Sequence, residues 1–255
     1  MSKKVNHYVM KLFREIFGRI WAAWAATVFV TTMLLFMIPF LIIRKMPEPK
    51  MTRRFIALSK TWMDIFLNGI LCHLTVVGKE NFEEGKNYIV VCNHNSLMDV
   101  PVSCPYIPGG NKTIAKKEMA KTPVFGILYA MGSILVDRNS ERSRRDSYQR
   151  MKQVLDMGLH MSIYPEGTRN KSSEPLKSFH DGAFRLALDT GKPIIPTLIF
   201  NTKKVLPGDK SFFIWPHRLE MHFLAPVVAE KGVSSLELKE KIFKIMTDYY
   251  VAKNI

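Results

Sequence analysis

From Ile20 to Ile43 the chain is apolar all round, interrupted only by Thr27, Thr31, Thr32 and Pro39. A helix with no polar face must be buried on every side or lie in lipid. At 1.5 Å per residue the run is roughly 36 Å long, enough to cross a hydrocarbon core of roughly 30 Å. A cleaved leader is the alternative. Against it, the basic lead-in is long, the run exceeds the apolar stretch of a leader, and Arg44-Lys45-Met46-Pro47 offers no small-residue cleavage site.

The residues before the run carry a different pattern. Val5, Tyr8, Val9, Leu12, Phe13, Ile16, Phe17 and Ile20 recur at helical spacing, while Lys3, Lys4, Lys11, Arg14 and Arg19 fall largely off that stripe. An interfacial helix on anionic lipid is built in this way. After the run, Pro47 and Pro49 break the chain, and Phe55, Leu58, Trp62, Ile65, Phe66 and Ile70 form the stripe of a second amphipathic helix. Residues 1–71 thus read as a membrane-associated helical segment. Both flanks of the apolar run are basic, so the distribution of Lys and Arg gives no orientation. The helix either spans, or dips into one leaflet with both basic ends on the cytoplasmic side.

The formal net charge is +15. Such a surface attracts polyanions: nucleic acid, anionic membrane or phosphorylated substrates. There is no zinc-finger spacing and no aromatic–basic RNA-binding signature, and the charge clusters beside the apolar run, which points to membrane and away from nucleic acid. Cys72, Cys92 and Cys104 form no disulfide framework, as expected of a reducing compartment. Cys92, two residues before His94, reads as a buried small hydrophobe rather than a nucleophile.

Residues 72–255 alternate short β runs with helical stretches, the mark of an α/β sheet packed by helices. Strands are expected at Leu74–Val77, Tyr88–Cys92, Thr113–Ala115, Ile134–Val136, Met161–Tyr164, Ile194–Phe200 and Leu219–Leu224. Helices are expected near 98–106, 123–131, 141–157, 177–190 and 234–252. The segment Leu206–Trp215 has no clear pattern.

Two polar segments follow strands that read as buried: Asn93-His94-Asn95-Ser96-Leu97-Met98-Asp99, and Tyr164-Pro165-Glu166-Gly167-Thr168-Arg169. Chemistry in open α/β sheets gathers at the carboxyl ends of strands. His94 is a candidate general base, with Asp99 to orient its ring. Read alone, the pair is better explained as a loop histidine beside a helix-capping aspartate, with Ser96 and Asp99 as the two ends of a capping box. Arg169 is a candidate phosphate ligand, since a guanidinium matches phosphate as a fork. Gly167 lets backbone approach a ligand closely, and Thr168 adds a hydroxyl. Glu166 reads as structural or as a stiffener of Arg169. Arg138 and Lys116 are further phosphate candidates, and Arg138–Arg150 otherwise reads as a solvated helix face. His180-Asp181 reads as an exposed helix start.

These segments resemble the glycerolipid acyltransferases. The His-x4-Asp block and the Pro-Glu-Gly-Thr-Arg block match that family's motifs. Gly132-Ser133-Ile134-Leu135-Val136-Asp137-Arg138 resembles its second motif, Lys192-Pro193-Ile194-Ile195-Pro196 its fourth, and Lys116-Lys117-Glu118 sits where members often carry basic residues. The resemblance implies an α/β fold with a mixed sheet flanked by helices, behind a two-helix unit resting on the membrane. It implies transfer of a fatty acyl chain from acyl-CoA or acyl-carrier protein to the free hydroxyl of lysophosphatidate (1-acylglycerol 3-phosphate), on the cytoplasmic side of the cell (inner) membrane. His94 and Asp99 would be catalytic; Glu166, Gly167, Thr168, Arg169, Arg138 and Lys116 would bind substrate. No metal and no cofactor are implied. Another lyso-lipid, glycerol 3-phosphate as acceptor, a hydrolase, and a lipid-binding protein without catalysis are the alternatives.

Overall fold

The computed structural model describes residues 3–230 and 232–253. Helix α1 (Lys3–Ile43) joins the basic amphipathic lead and the apolar run into one helix of 41 residues. No breaker stands at the junction near Ile20; only the polarity of the outer face changes there. The side chains of Lys3, Lys4 and Val5, read above as part of the interfacial pattern, lie outside the described residues. Helix α2 (Lys50–Gly69) starts after Pro47 and Pro49 and buries Phe55, Ile56, Trp62, Met63, Phe66 and Leu67.

The two helices lie against each other. Indole N–H groups tie them: Trp21 donates to the Ile70 carbonyl at 3.1 Å, Trp24 to Gly69 at 2.9 Å, and Trp62 of α2 to the Thr32 hydroxyl at 2.9 Å. Phe29 and Phe40 of α1 pack on the Trp62 ring, centroids 5.2 and 6.0 Å apart. The opposite face of α1 is open, with Leu34, Leu35, Ile38 and Ile42 all more than half exposed. Only 11% of its most apolar window is buried, so α1 is not a core helix; it is long and apolar enough to cross a membrane.

The remainder is one seven-stranded mixed sheet: β1 (Leu74–Val77), β2 (Ile89–Cys92), β3 (Asn111–Lys116), β4 (Ser133–Val136), β5 (His160–Ile163), β6 (Ile194–Phe200) and β7 (Leu219–Phe223), in the order β1-β7-β6-β2-β5-β3-β4. Strands β2 to β6 run parallel; β7 is antiparallel to β6 and parallel to β1. The helices of this part are α3 (Asp99–Ser103), α4 (Phe125–Gly132), α5 (Glu141–Asp156), α6 (Gly182–Thr190), α7 (Thr202–Val205) and α8 (Ser235–Lys253).

Three differences from the sequence reading have local causes. The expected helix 98–106 divides into α3 and a 3-10 turn over Cys104–Tyr106, where Pro105 supplies no N–H. The expected helix 177–190 begins only at Gly182, because the N–H groups of Lys177 and His180 bond Glu166 and the Pro165 carbonyl instead of building a first turn. Helix α7, four residues long, is too short to show a period.

Helices α1 to α4 cover one face of the sheet over a core that includes Trp62, Val90, Cys92, Tyr106 and Ile199. Helices α5, α6 and α8 cover the other, over Ile89, Val91, Met161, Phe184 and Ile242. Central strand β2 is buried on both faces and therefore reads as an unbroken apolar run. Because β2 to β6 are parallel, their carboxyl ends share one edge. The residues that follow them are His94, Lys117, Asp137 and Arg138, Tyr164 to Gly167, and Thr202.

Candidate active site

His94 Nδ1 lies 2.7 Å from Asp99 Oδ2. The same oxygen accepts the N–H of Asn95 at 2.6 Å and of Ser96 at 2.7 Å, and Asp99 Oδ1 accepts the Thr202 hydroxyl at 2.5 Å. Asp99 is 0% exposed, and these donors compensate the burial of its charge. An ionised carboxylate only accepts, so the imidazole proton sits on Nδ1 and Nε2 keeps its lone pair. The Tyr164 ring packs against the imidazole with centroids 4.6 Å apart. Of the expected capping box, the Asp99 half forms; the Ser96 hydroxyl donates instead to the Leu206 carbonyl at 2.8 Å. Pro101 is the third residue of α3, where a helix has no use for its missing N–H. One residue earlier, the Asn93 amide exchanges two bonds with the backbone of Ile199 on β6, at 3.0 and 2.7 Å.

Glu166 is corrected from a substrate ligand to a brace. It is fully buried; Oε1 accepts the His94 N–H at 2.8 Å and Oε2 the Lys177 N–H at 3.1 Å. It makes no ion pair with Arg169 among the described residues. So buried, it lines neither of the two cavities beside the pair and presents no surface to a ligand. Burial raises its pKa to about 7, against the pull of those two N–H bonds. Between roughly pH 4.5 and 7 the folded chain therefore binds a proton that the unfolded chain lacks, and this group's contribution to stability falls as pH rises. Glu166→Gln, which does not titrate, should be less stable than the parent at pH 4.5, by a deficit that narrows by about 3 kcal/mol by pH 7.5. Buried His160 has the opposite slope, its pKa lowered to about 4, but it is common to both proteins and cancels. Paired denaturant titrations across this range measure the difference; a constant deficit contradicts it.

Two cavities meet beside the pair. The more polar one, of ≈ 460 Å³, is lined by His94, Arg138, Arg144, Tyr164, Thr168, Lys177 and His180 together with apolar Val100, Ile114, Val136, Met151 and Ile163. An apolar one of ≈ 400 Å³ is lined by Phe29 of α1, Phe55 and Trp62 of α2, Leu97, Phe125, Leu128 and Tyr129, among others. Val100, next to Asp99, belongs to both walls.

Two cations of the polar cavity are held by the turn after β5, and a third by the backbone of the first. Arg138 Nη1 donates to the Gly167 carbonyl at 2.7 Å, Arg144 Nη1 to the Arg138 carbonyl at 2.7 Å, and Lys177 Nζ to the Thr168 hydroxyl at 2.8 Å. Gly167 has φ 68°, and a Cβ there would stand 2.8 Å from the His180 ring. Arg169 is not in this wall. It is half-buried just beyond Thr168, without a hydrogen bond or ion pair among the described residues, and the next N–H, of Asn170, donates to the His94 carbonyl at 2.6 Å. Lys116, exposed at the end of β3, also stands outside the wall.

Sequence reasoning missed Arg144, Lys177 and His180, which looked like solvated charges and helix-start residues, as well as Thr202. Their shared position comes from the parallel strand ends and the Gly167 turn, which no local pattern announces. Cys92 is fully buried, with its thiol pKa held far above the usual range by burial; it lines neither cavity.

Comparison with known proteins gives a consistent relationship. The family model described as Acyltransferase matches residues 73–200. A 1-acyl-sn-glycerol-3-phosphate acyltransferase of Borreliella burgdorferi is 29% identical over 203 residues, 75% of this chain and 74% of that protein. The enzyme of the same name from Helicobacter pylori is 34% identical over 126 residues, 49% of this chain and 53% of its own length. The crystal structure of a 1-acyl-sn-glycerophosphate acyltransferase from Thermotoga maritima superimposes with a TM-score of 0.80 at 21% identity, covering 94% of this chain and 98% of that one.

Proposed function

Since this chain belongs to the acyltransferase family, we propose that it moves a fatty acyl group from the thioester of acyl-CoA or acyl-carrier protein to the free hydroxyl of 1-acylglycerol 3-phosphate, giving phosphatidic acid. The observation that carries this reading is a His–Asp pair whose aspartate is buried and whose imidazole opens onto a cavity that also carries Arg138, Arg144 and Lys177, with an apolar cavity sharing the wall at Val100.

The chemistry follows from those parts. An alcohol ionises too weakly to attack a thioester at neutral pH unassisted. His94 Nε2 takes its proton as the oxygen–carbon bond forms, and Asp99 stabilises the imidazolium through Nδ1–H. The carbon–sulfur bond then breaks and the thiolate leaves, collecting the proton from His94. A thiol with a pKa near 8.5 is a good leaving group, so one base suffices and neither metal nor cofactor is required. The acyl chain occupies the apolar cavity. Arg138, with Lys177 and Arg144 beside it, receives the phosphate from the wall, and Arg169, whose guanidinium is not spent on other groups among the described residues, closes on it from beyond Thr168. Gly167 and Thr168 border the phosphate, and Lys116 adds charge at the strand edge.

Residues 1–71 attach the enzyme to the membrane and 72–255 form the acyltransferase domain, facing the cytoplasm at the cell membrane. Three free, buried cysteines suit that side. Contacts with the rest of the chain run along α1 from Phe17, against Trp215, to Phe40, against Phe55. Between Phe17, against Trp215, and Phe29, against Phe125, roughly 18 Å of α1 lies on residues 72–255, and a stretch held there is not free to cross a bilayer, which favours the dip into one leaflet.

Incubating the purified full chain in detergent with labelled acyl-CoA or acyl-carrier protein and a panel of lyso-acceptors tests the reading. Phosphatidate should be the main product. Acylation of a phosphate-free or amino acceptor alone, or release of free fatty acid, would sink it. Arg138→Lys and Arg169→Lys should each raise the lysophosphatidate KM about 5- to 150-fold, the loss of a charged hydrogen bond of about 1–3 kcal/mol. A change confined to the donor KM would remove that residue from the phosphate site.

A further inference from the structure

The catalytic turn is held from one side by a segment that none of the sequence motifs includes. The chain leaves β6 through Asn201 in the left-handed region (φ 68°) and enters α7 at Thr202. Thr202 is 1% exposed, and its hydroxyl has a single partner among the described residues, Asp99 Oδ1 at 2.5 Å. At the far end of α7, Leu206 offers its carbonyl to Ser96. Strand β6, through Ile199 on Asn93, and α7, through Thr202 on Asp99, thus grip the His94–Asp99 turn at both of its ends.

The load on Asp99 is unequal. Oδ2 carries His94, Asn95 and Ser96, whereas Oδ1 carries Thr202 alone. Three donors on one oxygen fix that oxygen and leave the carboxylate free to pivot about it. A fourth donor on the other oxygen stops the pivot. It also withdraws negative charge from the carboxylate, which sets how firmly the ring proton is held.

We propose that Thr202 is a positioning residue of the acyl transfer, fixing Asp99 through its second oxygen and thereby the orientation and basicity of His94. The proposal rests on the reading of His94 as the general base. Other titratable groups face the pair: Tyr164 and Glu166 beyond β5, Cys92 on β2, Cys104 beyond α3 and Tyr250 on α8. Burial keeps the thiols and phenols protonated through neutral pH. Glu166 titrates near 7, and its contribution is common to proteins that differ only at position 202.

The test compares full-length Thr202→Val, Thr202→Ser and His94→Ala with the parent, following thiol release from acyl-CoA with lysophosphatidate as acceptor. Valine keeps shape and removes the donor; serine restores it. Thr202→Val should lower kcat about tenfold with both KM values within about twofold, since the donor acts on the base and not on ground-state binding. The acid limb of kcat/KM should move to higher pH, because a carboxylate lacking that donor holds the imidazolium more firmly. Thr202→Ser should recover kcat to within about threefold of the parent and return the limb. If Thr202→Val does not fold, Thr202→Cys, of similar size with a weaker donor, should give an intermediate kcat and limb. A kcat for Thr202→Val within twofold of the parent overturns the proposal. So do equal losses in the Val and Ser variants with an unmoved limb. Full activity in His94→Ala would overturn the base assignment itself, an outcome separable from failure at Thr202 alone.

Discussion

Replacing His94 by alanine is expected to lower kcat by about 10²–10⁴-fold, the range for loss of a general base, without changing the melting temperature or the membrane-bound fraction. Among the described residues the ring's one hydrogen bond is the 2.7 Å contact with Asp99, while the His94 backbone keeps its bonds to Glu166 and Asn170. Truncation therefore removes the base and leaves the turn closed. Steady-state turnover on lysophosphatidate decides the matter: a residual rate above roughly a tenth of the parent exceeds what loss of a base permits. Asp99→Asn should be comparably severe but is a less clean probe. An amide facing Nδ1 imposes the wrong tautomer, and it also disturbs the Asn95, Ser96 and Thr202 donors.

Deleting residues 1–45 should do more than release the protein from membranes. It strips the cover from Phe55, Trp62 and Phe66 of α2, and from Phe213, which is 2% exposed when α1 is present. The truncated chain is expected to aggregate, and to be inactive even on a short-chain, water-soluble acceptor; folded, active, soluble protein would contradict this. Gly18→Leu separates the two roles of α1. A Cβ at Gly18 would lie 2.1 Å from the Phe213 ring, and the Gly18 carbonyl accepts the Ile214 N–H at 3.1 Å. The variant should still float with vesicles and resist high-salt extraction, because the apolar run is untouched and basic residues add only about 1 kcal/mol each on anionic lipid. Its turnover should nonetheless fall at least tenfold, since Trp215 is bonded to Val205 in α7, next to the catalytic turn. Flotation and turnover measured on one preparation give both answers.

The ease of reading each part from sequence follows from how local its cause is. Strands β2, β5 and β6 are buried throughout and bounded by polar segments, so burial alone spelled them out. His94 and Asp99 were visible because the turn between them is short. Glu166 was legible as structural but not by its partners, which are backbone groups at positions 94 and 177 and leave no trace in side-chain chemistry. Thr202 lies 103 residues from Asp99, and Lys177 reaches the cavity only because α6 starts late. The stretch Leu206–Trp215 lacked a pattern because it forms no regular element; its apolar residues answer to α1, through Phe213 on Gly18 and Trp215 on Phe17.

Phe29 lies on α1 and also in the wall of the apolar cavity. If α1 is seated in lipid, a single helix, about 10 Å thick, is all that separates the bilayer interior from the room where an acyl chain would be held. A chain of about sixteen carbons carried through water between the two would meet a barrier of roughly 12 kcal/mol, at about 0.8 kcal/mol per methylene. A passage along the flank of α1 keeps grease against grease throughout. The helix would then act less as a mooring line than as a gunwale, over which cargo passes without getting wet.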